Sequence, residues 1–178
     1  MVNDPEFLAA MQACGAVQFG AFTLASGKTS DYYVDIKRVT RPELLREIAR
    51  RMAPHVRGYD RIAGVELGAV PIAVAVALET GLPFLIVRKE PKEHGTKRAH
   101  EGELRVGDRV VFVEDVVTTA GTLQRAVEGL RAAGAVVDRA VAVVDREEGG
   151  ADHLAAAGVQ LLSLLRARDL RTVGPTSK

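Results

Sequence analysis

Val110-Val111-Phe112-Val113-Glu114-Asp115-Val116-Val117-Thr118-Thr119-Ala120-Gly121-Thr122 is the stretch that decides how this chain folds. An unbroken apolar run that ends in two adjacent carboxylates, followed by a turn bearing hydroxyls and a glycine, reads as a buried parallel strand carrying acids to its carboxyl end. Open α/β sheets bind their ligands at that end. The turn leads into Leu123-Gln124-Arg125-Ala126-Val127, so hydroxyls and backbone N–H groups gather at a helix N-terminus, where an anion is favoured. The expected occupant is a phosphate. A plain strand followed by a threonine N-cap would require neither the acids nor Gly121. The chain contains no G-x-x-x-x-G-K-S/T and no G-x-G-x-x-G phosphate loop.

The same alternation extends outward from this stretch. From Arg41 onward a helical segment, a glycine at its C-terminal stop and a β-branched strand recur four times. Gly58 precedes Arg61 to Val65, Gly81 precedes Phe84 to Val87, Gly134 precedes Val136 to Val144, and Gly158 precedes Val159 to Leu164. With the strand at Val110 this makes about five strands alternating with helices, the pattern of an α/β fold whose mostly parallel sheet carries helices on both faces. Functional residues are then expected just after strands. The first joint places Glu66-Leu67-Gly68-Ala69-Val70-Pro71 there, where glycine permits close backbone approach to a ligand and equally makes a tight strand–helix connection.

Ahead of this core, Phe7, Leu8 and Met11 at helical spacing give a short amphipathic helix that starts near Asn3 or Asp4, holds Pro5 in its first turn and ends at Gly15. Val17 to Leu24 and Tyr32 to Ile36 read as strands joined by the turn-forming residues 25–31. Residues 1–40 are therefore read as a small N-terminal subdomain, and residues 41–178 as the α/β core of a single domain.

The strand Phe84 to Val87 runs directly into Arg88-Lys89-Glu90-Pro91-Lys92-Glu93-His94-Gly95-Thr96-Lys97-Arg98-Ala99-His100-Glu101-Gly102. A segment so long and nearly free of apolar residues cannot pack, and on composition alone it reads as a solvated loop. Its position argues for more. It leaves the same sheet edge as Glu114 and Asp115, so its cations can close over a polyanionic ligand.

With 178 residues the chain is long enough to bury a full core. A formal net charge of +1 argues against a general nucleic-acid or membrane binder. The one cysteine, Cys14, cannot form an internal disulfide and reads as a small buried hydrophobe. The start of the chain has no basic region followed by an apolar one, and the most apolar helix, Val70 to Leu78, is too short to cross a bilayer. The expected location is the cytoplasm.

Acids beside a phosphate repel it unless they hold hydroxyls or a metal, and a sugar phosphate supplies hydroxyls next to its phosphate. The pattern of apolar strand, two acids, two apolar residues and Thr118-Thr119-Ala120-Gly121-Thr122 resembles the phosphoribosyl diphosphate (PRPP) signature of the type I phosphoribosyltransferases. Further matches narrow the resemblance to the orotate phosphoribosyltransferases. Arg88-Lys89-x-x-Lys92-x-His94-Gly95 is similar to that family's catalytic loop, Phe22 to Asp35 to its amino-terminal segment, and Asp145-Arg146-Glu147-Glu148-Gly149-Gly150 to its base-site turn. The matches run in the family's order from Phe19 to Gly150.

The resemblance implies a type I phosphoribosyltransferase fold with an N-terminal hood, and the transfer of a phosphoribosyl group from PRPP to orotate. Lys92, His94 and Asp115 are implied as catalytic residues. Arg88, Lys89, Lys92, His94, Glu114, Asp115, Val116, Val117, Thr118, Thr119, Ala120, Gly121 and Thr122 are implied to bind PRPP, and Thr118 and Arg146 to bind orotate. Arg146 offers a planar donor fork suited to a carboxylate. Tyr32 or Tyr33 could cover a ring face, although a strand tyrosine is more often core. Magnesium is implied, held by the diphosphate and ribose hydroxyls of the substrate with mostly water on the protein side and Glu114 or Asp115 as candidate ligands, and so is a homodimer with shared active sites.

Some residues depart from the family pattern. Ala25 and the loop at Gly68 lack lysines that some members carry, which throws phosphate neutralisation onto the Arg88–His94 loop, and Glu114-Asp115 replaces a pair of aspartates. Two alternatives share the PRPP loop: a transferase for another base, and a PRPP-sensing regulator without catalysis. Purine-specific relatives place a lysine and an aromatic around the base, where this chain has Arg146. A regulator requires a DNA-binding element, which the near-neutral charge does not supply.

Overall fold

The apolar runs and their glycine punctuation become a six-stranded sheet in the computed structural model, which describes residues 5–23, 29–35, 41–89 and 99–172. In chain order the strands are β1 (Val17–Thr23), β2 (Thr29–Val34), β3 (Arg61–Val65), β4 (Phe84–Val87), β5 (His100–Glu101), β6 (Arg109–Val117), β7 (Val136–Asp145) and β8 (Gln160–Arg166). The helices are α1 (Pro5–Ala13), α2 (Pro42–Met52), α3 (Val70–Thr80), α4 (Gly121–Ala132), α5 (Gly150–Ala156) and α6 (Ala167–Thr172), with one 3₁₀ turn at Ala53–His55. The large sheet is ordered β5-β4-β3-β6-β7-β8. Its five longer strands are parallel, as the alternation requires, and β5 is added antiparallel at the edge beside β4.

Helices cover both faces. Leu123, Ala126, Val127 and Leu130 of α4, at the spacing that lines up one side of a helix, join Leu154 of α5 and Ala63, Phe112 and Ala140 of the sheet in one buried cluster. On the other face Leu44, Ile48 and Met52 of α2 and Ile72, Ala73 and Val76 of α3 pack on Ile62, Val111, Val113 and Val141. Truncating a fully enclosed side chain such as Leu130 to alanine should cost about 2–5 kcal/mol. The α1 residues Phe7, Leu8 and Met11 and the hairpin residues Val17 and Tyr32 close this second cluster. The small antiparallel β1–β2 sheet thus stands over the α2–α3 face, with an irregular register between Phe19 and Phe22.

β6 carries the acids at its carboxyl end, as read, and runs to Val117, where β7 still pairs with it through Val117↔Asp145. Two details differ from the sequence reading. β2 begins at Thr29, inside the expected turn. β5, of two residues, pairs with Ile86 and Val87 and was not foreseen. At the amino-terminal end of β3, Arg61 is buried at 7 % exposure and pairs through its Nε with Asp108. No helix among the described residues is long and apolar enough to cross a membrane.

Topology fixes the position of the site. From β3 the chain steps outward to β4, and from β6 it steps the other way to β7. Strand order reverses between β3 and β6, and their following helices α3 and α4 lie on opposite faces. A crevice opens where the two connections diverge, at the carboxyl ends of the strands.

Candidate active site

β3 pairs with β6 only through Gly64↔Val113, so Glu114 to Val117 continue beyond their neighbour and border an open crevice of about 380 Å³. It is lined by Glu66 and Gly68 after β3, Lys89 after β4, the β6 end from Glu114, and the turn and first helical residues up to Arg125. Glu114, Asp115, Val116, Val117, Thr118, Thr119, Ala120, Gly121 and Thr122, all expected at one ligand, do lie around one space.

Both acids line the crevice, side by side at the end of β6. Asp115 reaches the β3–α3 loop, where its carboxyl group fills the room beside Gly68. The acids also bond back to their own strand: Asp115 N–H donates to Glu114 Oε1 at 3.1 Å and Val116 N–H to Asp115 Oδ1 at 2.7 Å. Removal from water holds the Glu114 carboxyl well above the usual carboxylate range, reinforced by the Asp115 carboxylate beside it. A hydroxyl donor or a cation entering the crevice would favour its ionised form.

The turn after β6 is built to leave donors free. Ala120 is left-handed (φ 62°, ψ 9°), which swings the chain from strand to helix in three residues, and no side chain caps α4. The first intrahelical bond runs from Gln124 N–H to Ala120 O at 2.8 Å, and the residues before it border the crevice at the positive helix end. Two contacts brace the turn from behind. A Cβ on Gly150 would stand 2.5 Å from Thr118 O, so α5 packs against the turn backbone to backbone. His153 Nδ1 lies 2.9 Å from Thr119 O, and since a carbonyl only accepts, Nδ1 carries the proton.

The base-site turn follows β7. Arg146 N–H donates to Val117 O at 2.9 Å, which ties this turn to the end of β6. The Arg146 guanidinium lies 5.5 Å from the centre of the Tyr32 ring and 2.9 Å, through Nε, from Glu148 Oε1. Tyr32 itself is 2 % exposed, so it is core, as a strand tyrosine usually is, yet its ring supports Arg146. Tyr33 is exposed and stacks near Phe22, with ring centres 5.5 Å apart. Glu147 adopts φ 56° and receives Arg168 of α6 in an ion pair that lowers the Glu147 pKa, a clasp the sequence did not announce.

Of the expected lid residues, Lys92 and His94 lie outside the described residues, as do Ala25 and Lys28. Lys89 borders the crevice, and its N–H donates to Glu66 Oε1 at 3.1 Å. Arg88 is turned to Glu101 of β5, 2.7 Å away, and does not border the crevice. The Glu66–Leu67 peptide bond is cis.

No three His, Cys, Asp or Glu side chains gather as a metal cage among the described residues. The donor set fits a magnesium that arrives on substrate oxygens and keeps water, with Glu114 and Asp115 as nearby carboxylates.

Comparison with known proteins agrees with this geometry. The family described as phosphoribosyl transferase domain matches residues 35–160. The orotate phosphoribosyltransferase of Methanosarcina acetivorans is 52 % identical over 168 residues, covering 93 % of this chain and 90 % of that protein. Among solved structures, orotate phosphoribosyltransferase from Aeropyrum pernix superposes with a TM-score of 0.82 at 33 % identity, covering 92 % of this chain and 95 % of that one. The Mycobacterium tuberculosis orotate phosphoribosyltransferase in complex with PRPP gives a TM-score of 0.77 at 31 % identity, covering 96 % of this chain and 99 % of that one.

Proposed function

The chain belongs to the orotate phosphoribosyltransferase family, and from that premise we propose that it transfers the 5-phosphoribosyl group of PRPP to orotate, giving orotidine 5′-monophosphate and diphosphate in pyrimidine nucleotide synthesis. The observation that carries this reading is the pairing, in one crevice, of two carboxylates with a helix N-terminus that no side chain caps. A sugar phosphate presents hydroxyls for the acids and a phosphate for the helix start.

In this reading the ribose hydroxyls donate to Glu114 and Asp115, and the 5-phosphate takes the amides and hydroxyls of Thr118 to Thr122. The diphosphate lies toward the Glu66–Ala69 loop and Lys89. Arg146, supported by Tyr32, grips the flat orotate through paired donors, and Thr118 adds a hydroxyl. The ring nitrogen then attacks the anomeric carbon as diphosphate leaves, and positive charge grows on the ribose. Glu114, ionised once its hydroxyl partner is in place, and Asp115 beside it stabilise that charge. Arg88, Lys89 and Lys92 draw the departing diphosphate, which requires Arg88 to exchange Glu101 for the ligand, and His94 supplies a proton or hydrogen bond. Magnesium, when bound, neutralises charge on the diphosphate, with Glu114 or Asp115 and water completing its oxygens.

The family resemblance carries two further parts of this proposal: a homodimer in which the lid of one subunit completes the site of the other, and action in the cytoplasm. The test of the whole reading is loss of orotate absorbance with PRPP and magnesium, using uracil and hypoxanthine as controls. Consumption of orotate alone is expected. Equal use of hypoxanthine, or no loss of orotate, would overturn the assignment.

A further inference from the structure

Arg125 stands one turn into α4, and its guanidinium folds back toward the helix start. Its Nη2 lies 3.3 Å from Thr122 Oγ1, and its Nη1 is 3.9 Å from the position a Cβ on Gly121 would take. Helical side chains lean toward the N-terminus, so this reach is natural for a long side chain in the second turn. The charge is not natural there. A helix start favours acids, and α4 has none in its first turn, so the guanidinium adds positive charge to the positive helix end. The acid one turn ahead is already engaged, since Glu128 Oε1 accepts from Gln124 Nε2 at 3.0 Å. Such an arrangement is stabilised when an anion sits at the helix start.

The charge balance of the crevice points the same way. Its lining acids are Glu66, Glu114 and Asp115, and its lining cations are Lys89 and Arg125. Lys89 follows β4, beside Glu66, and its backbone N–H is bound there. Arg125 belongs to the other end, with the turn from Thr118 to Thr122. We propose that Arg125 binds the 5-phosphate of the phosphoribosyl group, making with Thr122 a two-sided cradle over the amides of the α4 start. This rests on the assignment of the 5-phosphate to that turn. The residue supplies at the phosphate end the cation that neither the Glu66–Ala69 loop nor the turn itself contains.

Calorimetric titration of ribose 5-phosphate and, separately, of inorganic diphosphate into wild type, Arg125→Gln and Arg125→Lys tests it. The Gln variant should lose about tenfold in ribose 5-phosphate affinity, the loss of one charge-assisted contact at an exposed site. Diphosphate affinity should not change, and the Lys variant should recover part of the loss. Arg125 is exposed, so matching thermal melts are expected for all three proteins. Unchanged ribose 5-phosphate affinity in the Gln variant overturns the inference, and so does equal weakening of both ligands, which would mark a diffuse field effect. Failure of wild type itself to bind ribose 5-phosphate would overturn the phosphate assignment of the turn along with it.

Discussion

The Asp115 carboxyl group occupies the space that a side chain on Gly68 would need: a Cβ built there would lie 2.9 Å from Asp115 Cγ and overlap Oδ2. The β3–α3 loop and strand β6 therefore meet with no atom to spare. Gly68→Ala should push the carboxylate from its position, and overpacking of this kind costs about 1–3 kcal/mol. PRPP affinity, measured by calorimetry, should fall by roughly ten- to a hundredfold. A Gly68→Ala protein that binds PRPP as wild type does would show that the carboxylate yields without loss.

Glu114 gives a pH prediction. Its folded pKa is raised above the ordinary 4.5, so the stability it contributes is fully present below the unfolded value and is lost as pH rises through the folded one. Glu114→Gln should therefore melt higher than wild type at pH 8, with the difference vanishing toward pH 4. The same variant should bind PRPP more weakly, because ribose hydroxyls favour the ionised carboxylate. PRPP binding to wild type should release protons at pH values between the ordinary carboxylate pKa and the raised one, seen as a dependence of the measured heat on buffer ionisation enthalpy. Buffer-independent heats would show that Glu114 is already ionised in the free protein.

Arg146→Ala should weaken orotate far more than PRPP. A half-enclosed fork on a carboxylate is worth about 1.5–3 kcal/mol, so orotate affinity should drop roughly ten- to a hundredfold. Tyr32→Leu, which keeps the core filled but removes the ring beneath the guanidinium, should reproduce part of that drop. A fall confined to PRPP would place Arg146 outside the base site.

Away from the crevice, Asp108→Ala should cost stability without touching PRPP or orotate binding. It strands the buried Arg61 guanidinium, at a cost of about 1–3 kcal/mol, below that of a fully enclosed pair because Asp108 keeps some exposure. Hydrogen bonding to Arg61 holds the Asp108 pKa below the ordinary 3.8, so its contribution stands above that pH and is lost as pH falls through the depressed value. Urea melts at pH 7 measure the difference directly.

Sharing of the site between subunits is tested by mixing two inactive proteins, Lys92→Ala and Asp115→Asn. If the lid works across the dimer, a mixed dimer unites one intact lid with one intact ribose site. Random exchange makes about half the dimers mixed, and activity should return to roughly a quarter of wild type. A dead mixture, with exchange shown by mass spectrometry, would assign each lid to its own subunit.

The strands legible in the sequence were those bounded by glycine and filled with β-branched residues: Arg61–Val65 and Phe84–Val87 fall where the pattern put them. β5 was not, because two residues carry no period and its pairing comes from proximity to β4. β6 does carry its acids at its carboxyl end, where pairing with β7 continues regardless of side-chain type. In the site, local motifs showed the acids and the turn. The braces behind them, Gly150 against Thr118 and Glu147 against Arg168, join segments far apart in sequence. Arg125 left a faint signal, a cation in the second turn of a helix with no acid in its first.

β5 has a last consequence. Arg88 N–H donates to Ala99 O at 2.8 Å, and the Arg88 guanidinium holds Glu101, so the segment between leaves and re-enters the sheet at nearly one point. Closing a chain between fixed ends costs free energy that grows only logarithmically with length, about 0.6 kcal/mol for each doubling. Residues inserted or deleted between Lys89 and Ala99 therefore cost little in folding free energy. If that segment closes over the ligand as proposed, its length can vary to suit substrate retention and product release at little cost in stability.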